Sequence, residues 1–303
     1  MQRDMEVLLV PFGQGAGRPG SEWGPEALVK AGLLEKLEAQ GCKVNRSWVV
    51  PPAGSSVSLE KVCAGEQIGA MKHSSSVRGM NRLLAQQASA AVRRGRFPLL
   101  IGGDHSLAMG MLAGISEHYR RLGVIWLDAH ADMNTEATSP SGNMHGIPLA
   151  VAMHVAELKL ADIWPRAQSI DPRHLALVGA RDIDPGESRL MEDLHIRCFS
   201  PQEIKHRGAA NTMLEALQIA QRGTDGIHLS FDVDSLDPQY VPGTGTPVQG
   251  GLVPGEIAAA FGVLRRSGKL TSMDVVEVNP QLDQPDGRTA RLAAGLVASL
   301  FNR

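Results

Sequence analysis

Short apolar, β-prone runs recur along the chain at residues 7–10, 43–50, 98–101, 123–127, 175–178, 228–231 and 272–276. Between several of them lie stretches whose apolar residues repeat with the period of a helix, at 24–39 (GPEALVKAGLLEKLEA), 80–94, 106–119, 210–222 and 255–266. Pro25 falls at a first helical position and Gly41 just past the last apolar repeat, a start and a stop in the preferred order. Strands alternating with helices predict βαβ units, and so a parallel sheet with helices on both faces. Runs without polar alternation suit strands covered on both sides. The expected fold class is α/β, a three-layer α/β/α arrangement with a mainly parallel sheet. No shift of composition divides the chain, so one domain is expected over residues 1–303. The segment 51–80, rich in Ser, Gly and Pro and weakly periodic, reads as a surface excursion between an early strand and the next helix.

Composition narrows the picture by exclusion. Hydrophobic residues make up 43% and charged residues 20% of the 303, which suits a globular chain rather than a disordered one. Thirty Lys and Arg against 32 Asp and Glu leave a net charge of -2, so no field draws the chain to nucleic acid or anionic lipid. No stretch approaches the ~20 apolar residues of a membrane span, and the start MQRDMEVLLVPFGQG lacks a signal-peptide layout. Cys42, Cys63 and Cys198 are odd in number and far apart, which argues for a reducing compartment and against a disulfide framework. A cytoplasmic protein is expected. The glycine-rich GQGAGRPG (13–20) lacks the Gly-Lys-Ser/Thr ending of a phosphate loop and is not read as one.

The polar residues that look out of place begin where apolar runs end. Asp104 and His105 follow PLLIGG; Asp128, His130 and Asp132 follow VIWL; Arg181, Asp182 and Asp184 follow ALVGA; Asp232 and Asp234 follow HLSF; Glu277 follows MDVV. In an open parallel sheet the carboxyl ends of the strands line one crevice, where ligands bind. In an extended chain alternate residues point the same way, so Asp128, His130 and Asp132 should project together, and so should Asp232 and Asp234. With His105 they bring four carboxylates and two imidazoles to one place. Left unneutralised, the carboxylates would repel and raise their own pKa values. Two divalent cations cancel the four charges. The oxygen-rich set has imidazole but no thiolate, which suits Mn²⁺, although His also accepts Zn²⁺, Co²⁺ or Ni²⁺. Ions about 3.5–4 Å apart can hold one bridging water and make it a hydroxide near neutral pH. A single Asp-x-Asp after a strand is a turn capping backbone amides, and a lone His105 a hydrogen-bonded structural residue. Six such residues at three strand ends are read as a dinuclear metal site.

The strings GGDHS (102–106), DAHAD (128–132), SFDVDSLDP (230–238) and EVNP (277–280) resemble the signatures of the ureohydrolases, the arginase and agmatinase family of dimanganese hydrolases. The likeness runs from GPEALVKAGLLEKL (24–37) to LVASLFN (296–302). It implies an arginase-like fold and two Mn²⁺ per subunit. One ion would be held by His105, Asp128, Asp132 and Asp232 and the other by His130, Asp128, Asp232 and Asp234, with Asp128 and Asp232 bridging. It implies further that a hydroxide bridging the ions attacks a guanidinium carbon, and that the tetrahedral intermediate collapses to urea and an amine. A guanidinium is a poor electrophile, so it needs a strong nucleophile held in place and a partner for its charge. Glu277 is suited to pair with it bidentately. His145, in SGNMHG, is suited to shuttle protons from an ordinary pKa of about 6.5. Asp132 is counted with these two as catalytic as well as among the ligands.

The metal centre is common to the family, so the substrate is chosen at its far end. The resemblance implies that Asn134, Thr135, Ser141 and Asn143 contact an α-carboxylate, directly or through water, and that Asp184 and Glu187 contact an α-ammonium. SGN-x-HG and RD-x-DPGE are more similar to arginases than to agmatinases. The expected reaction is therefore hydrolysis of L-arginine to L-ornithine and urea. The alternatives are agmatine or another guanidino substrate, and a non-catalytic member that binds a guanidino ligand. Two departures from the family pattern are TEATSP between Asn134 and Ser141, where many arginases carry a Pro after Asn-Thr, and Ser235 in DVDSLDP. Thr246, in PGTGTPVQGG, is expected to line the pocket near the substrate. His73, His118, His154, His174, His195, His206 and His228 are read as non-ligands. The family commonly forms trimers or hexamers, so a homotrimer or homohexamer is expected by resemblance.

Overall fold

The computed structural model describes residues 3–50 and 68–302. Its strands are β1 (Asp4–Leu9), β2 (Lys43–Trp48), β3 (Phe97–Ile101), β4 (Leu122–Leu127), β5 (Leu175–Val178), β6 (Arg197–Phe199), β7 (Gly226–Asp232) and β8 (Ser272–Val276). They form one sheet in the order β2-β1-β3-β8-β7-β4-β5-β6, and every neighbouring pair is parallel.

Strand side chains alternate between the two faces with period two. On one face Met5, Val7 and Leu9 of β1, Ile125 and Leu127 of β4 and Met273 and Val275 of β8 pack with apolar residues of the helices Ala209–Ala220, Pro254–Ser267 and Arg288–Ser299. On the other, Leu8, Leu100, Val124 and Trp126 pack with the helices Ser74–Arg93, Ala108–Ser116 and Pro148–Ala152. This is the three-layer arrangement expected. The middle strands β3, β4, β7 and β8 are buried along their whole length, which is why β3 and β4 read as unbroken apolar runs. Edge strand β2 has instead only exposed and half-buried positions.

Several expected boundaries shift for local reasons. The helical stretch 24–39 is two helices, Gly24–Lys30 and Leu33–Ala39, because Gly32 takes a left-handed φ of 81° between them. The stretch 80–94 is the second part of a longer helix, Ser74–Arg93, whose first turns carry the serines that looked like loop. Residues 51–67 of the expected surface excursion, including Cys63, lie outside the described residues. The edge strand β6 went unseen because it has only three residues, RCF. The helices Pro185–Asp193 and Pro201–Arg207 went unseen because they are short and polar; their start signals are Pro25-like prolines after Asp184 and Ser200.

The adjacent strands β3, β8, β7, β4 and β5 end on one side of the sheet. The polar clusters of the sequence follow those five ends.

Candidate metal centre and active-site crevice

His105 opens a short 3-10 turn after β3, and its Nδ1 lies 3.0 Å from Asp128 Oδ2, 3.1 Å from Asp132 Oδ2 and 3.2 Å from Asp232 Oδ2. All four residues are buried. A second group adjoins the first: His130 Nδ1 is 3.4 Å from Asp128 Oδ1 and 3.2 Å from Asp234 Oδ2. Asp128 thus gives one oxygen to each group. The six residues expected to meet do meet, but not through alternation along an extended strand. β4 ends at Leu127, Asp132 sits at a left-handed φ of 52°, and Asp234 lies in the 3-10 turn Val233–Ser235. Hydrogen bonds to main-chain amides fix these bends. Asp128 Oδ1 accepts from His130 N (2.7 Å), Asp232 Oδ1 from Asp234 N (2.8 Å) and Asp234 Oδ1 from Ala129 N (3.1 Å).

The donor set fits divalent cations on two grounds. His105 Nδ1 is fully buried yet has no hydrogen-bond partner, although three carboxylate oxygens surround it. Oxygen and nitrogen ligands bind such ions at about 2.0–2.2 Å, which at angles of about 90–110° leaves ligand atoms roughly 3.0–3.4 Å apart. The five separations above fall in that range. The second ground is charge. Like charges 4 Å apart repel by about 4 kcal/mol at an effective dielectric of 20. Burial and the neighbouring Asp128 push Asp132 up to about 6, and burial with Asp234 and Asp128 pushes Asp232 well above the carboxylate range.

A buried column beneath His105 sets which ring nitrogen carries its proton. Asp274 Oδ2 lies 2.9 Å from His228 Nε2, and Asp274 Oδ1 accepts from Ser230 Oγ at 2.6 Å. Despite its burial, the Asp274 carboxyl is held below its ordinary range by His228, so it is an acceptor only. Ser230 gives its one proton to Asp274 and must accept from His105 Nε2, 2.7 Å away. His105 Nδ1 then presents a lone pair to the carboxylate group. The ring plane is fixed by stacking on Trp126, with centroids 4.2 Å apart, and Trp126 Nε1 donates to Asp128 Oδ2 at 3.0 Å. Ser230, Asp274, His228 and Trp126 were not singled out from the sequence, apart from His228 as a non-ligand. The signal was present in HLSFD and SMDVV, where polar residues recur at every second position on the β7 and β8 faces that look away from Met273 and Val275. Outer partners of metal-binding histidines typically change metal affinity 10–100-fold. Ser230→Ala is therefore expected to weaken the binding of a divalent metal ion by about that factor without unfolding the protein, as measured by chelator competition and thermal melting.

Glu277 follows β8 at a left-handed φ of 64°, pinned by its N–H to Gly103 O at 2.7 Å. Its Oε1 accepts from His105 N at 2.9 Å and lies 3.0 Å from His145 Nδ1. Burial opposes its charge, but the His145 ring and the His105 amide hold it below the ordinary carboxylate range. For His145, burial works against the charged ring and Glu277 outweighs it, so its pKa is pushed up to about 9. The glycine-rich loop completes this corner. Asp104 Oδ2 accepts from Gly15 N at 2.8 Å, and Gly15 O accepts from His145 N at 3.1 Å. A Cβ on Gly15 would stand 2.4 Å from Ser106 Oγ, so only glycine fits there.

Two overlapping cavities open over these groups. One, of about 270 Å³, is lined by His105 and Asp132 at its base and by Asn134, Ser141, Asn143, Asp184, Glu187 and Thr246. The other, of about 480 Å³, has Ala16, Gly17 and Arg18 of the glycine-rich loop on one wall and Gly245–Val248 on another, with His145 and Glu277 between. Of the residues expected to contact a substrate, Thr135 lines neither; its amide is taken by Thr138 Oγ1. Asn134 Nδ2 donates to Asp184 Oδ2 at 2.8 Å, and Thr246 Oγ1 to Asp234 Oδ2 at 3.0 Å. Glu187 caps its helix as well as lining the cavity, accepting from Asp184 N and Met133 N, each at 2.9 Å; burial pushes its pKa up to about 7. Among the described residues, no group of three or more metal-ligating side chains contains any of the seven other histidines.

The comparisons with known proteins give the class of this parallel three-layer fold with its carboxylate–imidazole groups at the strand ends: the chain is a member of the arginase family, the ureohydrolases, whose model matches residues 3–302. It is 38% identical to the arginase of Bacillus subtilis (strain 168) over 303 residues, covering 100% of this chain and 99% of that one. Among solved structures it is similar to the arginase of Bacillus caldovelox, with a TM-score of 0.91 and 39% identity over 100% and 99% of the two chains. It is also similar to the Entamoeba histolytica arginase solved in complex with L-ornithine, with a TM-score of 0.87, 33% identity and coverage of 100% and 99%.

Proposed function

We propose that the protein hydrolyses L-arginine to L-ornithine and urea in the crevice above His105 and His130, with two Mn²⁺ held by His105, Asp128, His130, Asp132, Asp232 and Asp234. The observation that carries this reading is the buried, unpartnered His105 Nδ1 among three carboxylates, with Glu277 poised beside it. The relatives named arginase, one of them with L-ornithine bound, support the choice of substrate.

Bound in that set, the ions supply a water acidified toward neutral pH and a positive field for the developing anion. The chain's own residues do the rest. Glu277 stays ionised and receives the substrate guanidinium, aligning its carbon over the metal centre. Asn134, Ser141 and Asn143 offer amide and hydroxyl groups to the α-carboxylate, while Asp184 and Glu187 face the α-ammonium. Thr135 acts in this scheme by positioning Thr138, which donates to Asn134 Oδ1 at 2.9 Å. Asp132 holds its oxygen at the base of the cavity, and Thr246 steadies Asp234. A site that satisfies polar groups rejects analogues lacking them, so agmatine leaves the carboxylate and ammonium contacts unmade.

His145, between Glu277 and the cavity, delivers the proton that the departing amine requires. Its ring is charged below about pH 9 and loses that charge as the pH rises through it. The profile of kcat/KM for urea release should therefore fall above about pH 9. In His145→Asn the fall should vanish and the rate drop on the order of 100-fold. The same alkaline limb in the variant would remove His145 from this role.

Urea release from L-arginine and agmatine, assayed side by side on manganese-loaded protein, tests the substrate. Faster turnover of agmatine contradicts the reading, and no urea from any guanidino compound favours a ligand-binding role.

A further inference from the structure

Three segments meet at one side chain beside the crevice. Arg181, just past β5, is half-buried and donates to six main-chain carbonyls. Nη1 reaches Gly179 O (3.1 Å) and Ser235 O (3.2 Å), and Nη2 reaches Asp234 O (2.8 Å), Val248 O (2.8 Å) and Leu236 O (3.3 Å); Nε reaches Gln249 O at 3.3 Å. These carbonyls belong to the end of β5, to the turn that carries Asp234, and to the segment 245–249, whose first four residues wall the cavity. Burial works against the charge, and Asp234 and Asp128 support it. A planar guanidinium with five N–H groups can serve carbonyls on several sides at once, whereas an ammonium has three donors and no fixed fork. Gly251 makes room for it: a Cβ there would stand 2.6 Å from Nη2.

The wall needs such a tie. Among the described residues no main-chain-to-main-chain hydrogen bond holds 244–250. Side chains hold it instead: Thr246 on Asp234, Asp237 Oδ2 on Gly250 N at 2.9 Å, and Arg181 on Val248 and Gln249.

We propose that Arg181 is a positioning residue: its guanidinium clamps the 245–249 wall to the turn bearing Asp234 and so fixes the width of the cleft that receives the substrate. Only the kinetic consequence rests on the hydrolase reading; the clamp is a property of the chain itself.

The test uses Arg181→Met, which keeps the stem and removes every donor, and Arg181→Lys, which keeps three. Hydrogen exchange is followed at the hydrogen-bonded amides of Leu236, Asp237, Gly250, Gly251 and Leu252. These should exchange about tenfold or more faster in the Met variant and by a smaller factor in the Lys variant, with the β3 and β8 amides unchanged. KM for the guanidino substrate should rise about tenfold while kcat stays within about threefold. Unchanged exchange at those five amides, acceleration spread evenly over the sheet, or local acceleration with unchanged KM would each overturn the proposal. Should the Met variant fail to fold, the Lys variant decides by the same readings. If the wild-type protein releases no urea, the hydrolase reading falls and the exchange data alone decide the clamp.

Discussion

Replacing Glu277 by Gln is expected to lower urea release by about 10³-fold or more while both metals stay bound. The substitution keeps the size of the side chain and removes a buried carboxylate that lines the cavity beside His145 and belongs to neither metal-ligating group. A guanidinium entering the crevice then meets a neutral amide in place of a charged partner. Loss of one well-placed electrostatic partner in a water-poor site typically costs 10²–10³ in rate, and here binding and alignment of the substrate are lost with it. Metal content should not change, because Glu277 reaches the metal centre only through the His105 amide and His145. Elemental analysis beside steady-state kinetics separates the two effects. Kinetics like those of the unaltered protein would remove Glu277 from its place opposite the guanidinium.

Replacing Asp128 by Ala is expected to strip at least one metal and, with it, essentially all activity. Asp128 is the residue whose two oxygens face the two groups, Oδ2 toward His105 and Oδ1 toward His130. Its loss also frees the His130 amide and the Trp126 indole N–H, both of which it anchors. A ligand present at 100 times its Kd stabilises a fold by about 2.7 kcal/mol. Adding manganese should therefore raise the melting temperature of the unaltered protein by several degrees and that of Asp128→Ala by much less. An equal metal-dependent rise, with unchanged metal content, would contradict the assignment.

The layers, and the meeting of His105, Asp128, His130, Asp132, Asp232 and Asp234, were legible in the sequence because both leave a mark on short stretches of it. Buried parallel strands announce themselves as apolar runs, and a charged residue at the end of such a run has few reasons to be there. The geometry inside the clusters was not legible. Alternation along a strand predicted the convergence of Asp128, His130 and Asp132, yet the structure achieves it with bends after Leu127 and a left-handed Asp132. Those bends depend on side-chain-to-amide hydrogen bonds that no periodicity encodes. Ser230 and Asp274 were hidden for the opposite reason: they sit inside strands read as uniformly apolar, and their pairing across β7 and β8 exists only in the folded register. The Asp184–Glu187 pair was read for chemistry alone, and its part in starting the helix Pro185–Asp193 was passed over.

The most direct measurement is diffraction from a manganese-loaded crystal at the manganese absorption edge. Two anomalous peaks should appear, one against His105 Nδ1 and one against His130 Nδ1, with Asp128 between them. Ordered density for these side chains with no anomalous peak among them would contradict the account at its root.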